Sequence, residues 1–380
     1  MKNLILYTDF DFNTLEYEKI FFGDTGQIAR QDVGIMSKVQ DTFDYLFSKV
    51  WHWKAINFTD DGKGFLDLPD FVKRIFLLNN GYQILMDSGV ESSYNILSML
   101  ASNTSVKTAY YYIAQNENIH ANSYSYGILQ MFRAKATQML NEIENDTVVK
   151  KRMNNEINTG EELLKEFALF ILNGYKSNKK LKIAIIKELI ATLIIEDGKF
   201  PFSFFTTLSI NNSFENKING FSNLIRMIAR DEIEGHVVVN IQVLNQLRKN
   251  ELHGFVKEFE DLKDWINNVI DKSEEDELQW SEYLLKEGEF PGFSKNINEI
   301  FIKYRFDHIR SILGIEKKYK IKKSNYDFLT WFDEYRKIQG QSINLQEMSN
   351  NNYEKGQIKK SIKDNLESLS YFFKKNIIFY

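Results

Sequence analysis

The stretch Ile113–Gly127, IAQNENIHANSYSYG, restricts the possible folds more than any other part of the chain. Glu117, His120 and Tyr124 follow one another at spacings of three and four, which on an α-helix places them on one stripe. Ile113, Ile128 and Met131 extend that stripe, so two ionisable groups and a phenol point where an apolar core belongs. Burying them uncompensated would cost several kcal/mol, against a net domain stability of about 5–15 kcal/mol. A bound metal ion would compensate them.

Which metal chemistry is open follows from the rest of the chain. There is no cysteine, so disulfides, zinc–thiolate sites and cysteine nucleophiles are excluded, and ligands must come from His, Asp and Glu. Of the five histidines, His52, His253 and His308 read as surface or loop residues. The last, His236, recurs in IRMIARDEIEGHVVVNIQV, where Glu232 and His236 share a helical face with Ile225, Ile228, Val239 and Val243. Two further acids interrupt apolar stripes: Asp87, on a face with Ile84, Tyr94 and Leu97, and Glu196, on a face with Ile185, Leu189, Leu193 and Phe200. One carboxylate from each of two helices and a Glu–His pair from each of two others is the ligand arrangement of di-iron and di-manganese carboxylate bundles. Four carboxylates neutralise two divalent cations, and hard oxygen donors with limited imidazole suit iron or manganese better than copper or zinc.

The remaining pattern is compatible with such a bundle. Only Pro69, Pro201 and Pro291 interrupt long stretches of helical periodicity, and no segment alternates as a strand, so the class is all-α. Helices are expected at about 27–53, 68–100, 106–143, 161–173, 180–200 and 215–249, with more near 256–286, 294–313 and 326–338, and a polar loop at FTDDGKGF. The reading is of a helical domain over 1–339 and a flexible tail over 340–380, polar at first and ending in FFKKNIIFY. A net charge of −4 gives no electrostatic case for nucleic acid or an anionic membrane. No apolar run has transmembrane length and the N-terminus lacks a signal-like pattern, so a cytoplasmic location is expected.

With these residues in place, the chain resembles the small, radical-generating subunit of class I ribonucleotide reductase, colinearly from about Phe21 into the tail. The resemblance rests on Asp87 in LMDS, Glu117-x-x-His120 with Tyr124 four residues on, Glu196 with Phe200, Ser203 and Phe204, and the IARDE…H helix with Glu232 and His236. It implies a ferritin-like bundle binding two iron ions, with manganese possible, through Asp87, Glu117, His120, Glu196, Glu232 and His236. It implies a stable radical on Tyr124 behind an apolar wall of Phe200, Phe204 and Ile228. A long-range electron route would involve His120, Asp231 and a tryptophan, Trp51 being favoured over Trp53, with Tyr353 at its outer end and Glu347 nearby. The expected partners are a large catalytic subunit, which the apolar tail tip would dock, and a second copy of this chain. The alternatives are a dimetal oxygenase or oxidase acting on a small organic molecule, which would need an open pocket at the metals, and a ferritin-like storage protein.

Three departures from the family pattern carry expectations of their own. Glu232 and His236 are separated by one residue more than usual, which predicts a π-bulge between them, with Glu234 as a less favoured substitute ligand. Pro201 and Gly198 after Glu196 predict a kink or break that frees the Glu196 carboxylate. WHWKAIN replaces the usual tryptophan stretch, which leaves Trp51 and Trp53 both in play.

Overall fold

The computed structural model describes residues 4–6 and 14–336. The segment 340–380, with Glu347 and Tyr353, lies outside the described residues. Among the described residues there is no named strand; two isolated bridges, Phe21 with Ala101 and Phe290 with Phe293, are the extended pairings recorded.

The principal helices are α1 (Ser37–Phe47), α2 (Asp70–Leu100), α3 (Thr104–Phe132), α4 (Thr147–Leu172), α5 (Lys179–Ile194), α6 (Phe200–Ser213), α7 (Asn219–Asp231), α8 (Val237–Lys249), α9 (Lys263–Leu284), α10 (Lys295–Ile312) and α11 (Asp327–Tyr335). Two π-helical turns, Ile195–Lys199 and Glu232–His236, join α5 to α6 and α7 to α8, so each pair reads as one long helix with a widened turn in the middle. The antiparallel pair α2 and α3 forms the longest seam, and α4, α5, α7 and α8 close the bundle around it.

Side-chain caps account for several boundaries that periodicity misplaces. Asn103 accepts the Val106 amide at 3.3 Å and starts α3. Asp146 accepts the amides of Val148 and Val149 at 2.8 and 3.0 Å, so α4 begins at Thr147, well before the expected 161. The α7 start is fixed from far away: Asp61 accepts the amides of Gly220 and Phe221 at 2.9 and 2.8 Å. Glu215 and Asn216, expected to be helical, instead carry positive φ angles of 52° and 59°. The helix expected over 106–143 ends at Phe132, where Arg133 turns to φ 46°, and a separate helix covers Ala136–Glu144. At the front of the chain only Ser37–Phe47 is helical within 27–53, while the expected loop contains a short helix, Asp61–Leu66.

The predicted π-bulge between Glu232 and His236 is present. Of the kink or break expected at Pro201, there is no break: the chain stays helical, the irregularity takes the form of a π turn, and Pro201 enters at the start of α6. Proline removes the amide that would bond the Asp197 carbonyl four residues back, and Arg305 of α10 supplies the missing donor, Nε to Asp197 O at 2.8 Å. A tertiary contact thus repairs what the sequence alone breaks.

The second π turn is pressed against α1. A Cβ on Gly235 would lie 2.4 Å from Leu46 Cδ2 and 2.8 Å from Leu46 Cγ, so only glycine lets α1 approach. Gly235→Ala should therefore lower stability by about 1–3 kcal/mol through overpacking, read as a lower urea midpoint at unchanged slope.

Candidate metal centre

The widened turns and the two long helices bring six ligand-type side chains to one place. Asp87 comes from α2, Glu117 and His120 from α3, Glu196 from the first π turn, and Glu232 and His236 from the second. All six are 0–1% exposed. They form two overlapping groups, Asp87 with Glu117 and His120, and Glu117 with Glu196, Glu232 and His236. Within each group one ligand atom per residue lies within 4.8 Å of the others.

Two carboxylates face both imidazoles. Glu232 Oε1 lies 2.9 Å from His120 Nδ1 and its Oε2 lies 3.0 Å from His236 Nδ1. Glu117 Oε1 is 3.1 Å from His236 Nδ1, and its Oε2 is 3.7 Å from His120 Nδ1. The two rings are nearly parallel, centroids 5.7 Å apart. These contacts are not aligned as hydrogen bonds: among the described residues, both oxygens of Asp87, Glu117 and Glu232 and Nδ1 of both histidines have no hydrogen-bond partner. Buried polar atoms are ordinarily paired, so this concentration of convergent donor atoms fits a pair of hard divalent cations, which these six residues would hold.

The outer shell fixes this set from behind. Tyr94 donates to Glu196 Oε1 at 2.5 Å, and Asn240 Nδ2 donates to Glu196 Oε2 at 3.0 Å and to the Tyr94 hydroxyl at 2.6 Å. The Glu196 carboxylate is therefore tethered, contrary to the freedom expected from Pro201. Its neighbour Asp197 pairs with Arg305 and, at 2.6 Å, with His308 Nδ1. His236 Nε2 faces the Asn116 amide at 3.4 Å, and His120 Nε2 faces Asp231 Oδ2 at 3.4 Å. Asp231 Oδ2 also accepts Trp51 Nε1 at 2.6 Å, and the Trp51 ring lies nearly parallel to that of His120, centroids 6.0 Å apart. Trp53 instead stacks on His52, so the structure brings Trp51 and not Trp53 to Asp231. Glu234 points away from the cluster, accepting from Tyr45 at 2.9 Å and Arg336 at 3.3 Å. His253, read as a surface or loop residue, sits in a short turn, is buried there and accepts the Ile20 amide at 3.4 Å.

Tyr124 is fully buried, and its hydroxyl accepts from Gln83 Nε2 at 2.8 Å. Phe200, Phe204 and Ile228 belong to the same buried core. Gln83, Tyr94, Asn116, Asn240 and Arg305 were not singled out from the sequence. The only signal was spacing: Gln83 and Tyr94 lie four before and seven after Asp87, and Asn240 four after His236.

Burial shifts these groups strongly. Burial first, then the Glu117 charge, holds Asp87 well above the usual carboxylate range, and burial holds Glu196 there too. Burial opposes charge on His120 and His236, but the surrounding carboxylates outweigh it and raise both. Burial would raise Glu232 as well, yet His236 and His120 pull it down to about 2. Burial, then Asp87, Glu232 and Glu117, keeps the Tyr124 phenol protonated.

The family model for Ribonucleotide reductase, small chain, matches residues 36–326. The chain belongs to that family. A ribonucleoside-diphosphate reductase subunit beta of Buchnera aphidicola (subspecies Acyrthosiphon pisum) is 26% identical over 366 residues, covering 92% of this chain and 94% of the relative. The corresponding subunit of Enterobacteria phage T4 is 25% identical over 309 residues, covering 76% and 79%. Among solved structures, a Clostridium botulinum ribonucleotide reductase R2 subunit superposes with a TM-score of 0.72 at 19% identity, covering 89% of this chain and 99% of that one. The Streptococcus sanguinis dimanganese(II)-NrdF structure gives 0.61 at 18% identity, covering 80% and 98%. The structural likeness shows the fold, a ferritin-like helical bundle, and the family match places this small chain among the oxidoreductases.

Two outcomes follow from the site's charges and its supports. Asp87, Glu196, His120 and His236 all have raised values, so the protons they hold stabilise the metal-free fold at low pH, and that stability is lost as pH rises through their folded values. Glu232 acts oppositely, losing its contribution only as pH falls from 4.5 towards about 2. Divalent metal binds the deprotonated forms, so uptake should release more than one proton, and the Mn(II)-induced rise in Tm should be larger at mildly alkaline than at mildly acid pH. Arg305→Met should cost at most about 3–5 kcal/mol, by breaking the buried pair with Asp197, which keeps His308, and by orphaning the Asp197 carbonyl. Adding Asp197→Asn should recover part of this, leaving the loss at the orphaned carbonyl, as read by a double-mutant cycle in urea.

Proposed function

We propose that this chain holds two metal ions through Asp87, Glu117, His120, Glu196, Glu232 and His236, and generates and stores a one-electron oxidising equivalent on Tyr124. It delivers that equivalent to a large catalytic subunit that reduces ribonucleoside diphosphates to deoxyribonucleotides. The observation that carries the reading is the set of buried, unpartnered ligand atoms in the same core as a sealed phenol. Iron is the proposed metal; the same oxygen-rich donor set accepts manganese. When bound and reduced, the metal pair supplies, by reaction with dioxygen, the oxidising power needed at Tyr124.

The protein's own residues do the rest. Tyr124 would give up one electron to the oxidised metal site and its phenolic proton towards the ligand carboxylates that act on it, Asp87 first, while Gln83 keeps donating to the same oxygen. The apolar core around it excludes water and external reductants. Trp51 is placed to relay the equivalent outward, since Asp231 Oδ2 at 2.6 Å accepts its indole proton when the electron leaves. The stack of Trp51 on His120 ties that relay to the ligand set. We assign the outer part of the route to Tyr353 and docking to the segment 340–380, beyond the helical domain 1–339. The chain has no cysteine, so substrate reduction through a cysteine radical belongs to the partner. A homodimer and a cytoplasmic setting are part of this reading; no described helix is long and apolar enough to cross a membrane. An oxygenase would need an open pocket at the ligands, and their near-zero exposure does not favour one.

Addition of ferrous iron and oxygen to the metal-free protein should give a tyrosyl electron paramagnetic resonance signal that Tyr124→Phe abolishes. Oxygen consumption without a radical, with iron and with manganese, would overturn the proposal.

A further inference from the structure

The bond between Gln83 and Tyr124 has a direction, and a residue outside the metal centre sets it. Gln83 Nε2 donates to the Tyr124 hydroxyl at 2.8 Å. A glutamine ends in both an acceptor and a donor, and a half-turn of the amide exchanges them. With its carbonyl towards Tyr124, Gln83 would hold the phenolic proton. With its NH2 there, it donates, and the phenolic proton points elsewhere. The deciding residue is Asn79, one helical turn before Gln83 on α2. Asn79 Nδ2 donates to the Ser203 carbonyl of α6 at 2.9 Å and to Thr207 Oγ1 at 3.1 Å, and it faces Gln83 Oε1 at 3.5 Å.

The order of polarity starts at the backbone. A carbonyl oxygen only accepts, so the NH2 of Asn79 must face Ser203. Turning Asn79 over would set its oxygen against that carbonyl. With the Asn79 NH2 fixed, Gln83 presents its oxygen to it, because the reverse would oppose two NH2 groups at 3.5 Å. The NH2 of Gln83 is then left for Tyr124. Asn79, Gln83, Tyr124, Ser203 and Thr207 are all 0% exposed, so bulk water does not compete for these groups. Asn79 Oδ1 has no hydrogen-bond partner among the described residues, so the donor side alone orients this amide. The phenolic proton of Tyr124 therefore points away from Gln83, and the carboxylates acting on the phenol are Asp87, Glu232 and Glu117. When Tyr124 loses one electron to the oxidised metal site and that proton towards these carboxylates, both hydrogens of the Gln83 amide stay on Gln83. The oxygen keeps the same donor, so the ring has no reason to turn.

We propose that Asn79 is a positioning residue for the Tyr124 radical: anchored on the Ser203 carbonyl and Thr207, it turns the Gln83 amide so that its NH2 donates to the Tyr124 oxygen before and after oxidation. This rests on the proposed role of Tyr124, and its test has one arm with metal and one without. In metal-loaded full-length protein, high-field electron paramagnetic resonance reads the largest g value of the tyrosyl radical, which a hydrogen bond to the phenoxyl oxygen lowers. The wild type should give one narrow, low value. Gln83→Met should raise it. Asn79→Leu, which keeps Gln83 but leaves its amide unanchored, should broaden it towards the raised value. A loss of packing alone would reduce the radical yield without moving g. In metal-free full-length protein, the Raman Fermi doublet of Tyr124 is isolated by subtracting the spectrum of the matching Tyr124→Phe variant. Its higher-frequency band gains intensity when the phenol oxygen accepts a hydrogen bond, so the band ratio should fall in Gln83→Met and in Asn79→Leu. A g value unmoved by Gln83→Met, a narrow wild-type value in Asn79→Leu, or a wild-type Raman ratio in Asn79→Leu would overturn the proposal. Absence of a tyrosyl signal in the wild type would instead overturn the role of Tyr124, and the Raman ratios would still decide whether Asn79 orients Gln83.

Discussion

The structure depends on one electrostatic problem, the burial of four carboxylates and two imidazoles inside an apolar bundle. Each such ion costs several kcal/mol to take out of water, so the set is tolerable only because its members answer one another. In the metal-free state protons do this: the surrounding carboxylates push both imidazoles up against burial, and burial pushes Asp87 and Glu196 up. Two divalent cations would replace those protons with the same net balance. The site is thus a place where the fold accepts local instability in exchange for affinity.

Holding six donors to a common point demands more than regular helices supply. An α-helix presents neighbours at fixed angles, and the extra residue between Glu232 and His236 would rotate one of them off the site. The π turn absorbs that residue and returns α8 to register. The turn at Ile195–Lys199 carries Glu196 and hands Pro201 to the start of α6. Both turns are braced from outside, one by α1 against Gly235 and the other by Arg305 and His308 on Asp197. The ligands are therefore positioned by α1 and α10, which contribute no ligand themselves.

The same core treats its aromatic residues unequally. Trp51 meets the Asp231 carboxylate, itself paired with Arg230, whereas Trp280 meets the Arg152 guanidinium, itself paired with Glu277, and its N–H has no acceptor among the described residues. In a bundle this rich in Phe, Tyr and Trp, ring proximity alone does not define a route for charge.

Much of the site was legible in the sequence because its signals are local. Glu117, His120 and Tyr124 share a stripe by spacing alone, the extra residue before His236 implies a widened turn, and the absence of cysteine leaves only oxygen and imidazole donors. Helix existence was legible for the same reason, since Pro69 and apolar periodicity act over a few residues. What only the tertiary structure decided involves partners far apart in sequence. Asp61 sets where α7 begins, Arg305 replaces the amide that Pro201 lacks, and Tyr94 with Asn240 holds the Glu196 carboxylate. Asp231 selects Trp51 over Trp53, and Arg152 reaches both Tyr82 and Trp280. A sequence records which groups a residue carries; which distant donor, acceptor or charge comes to face it is settled only when the helices pack.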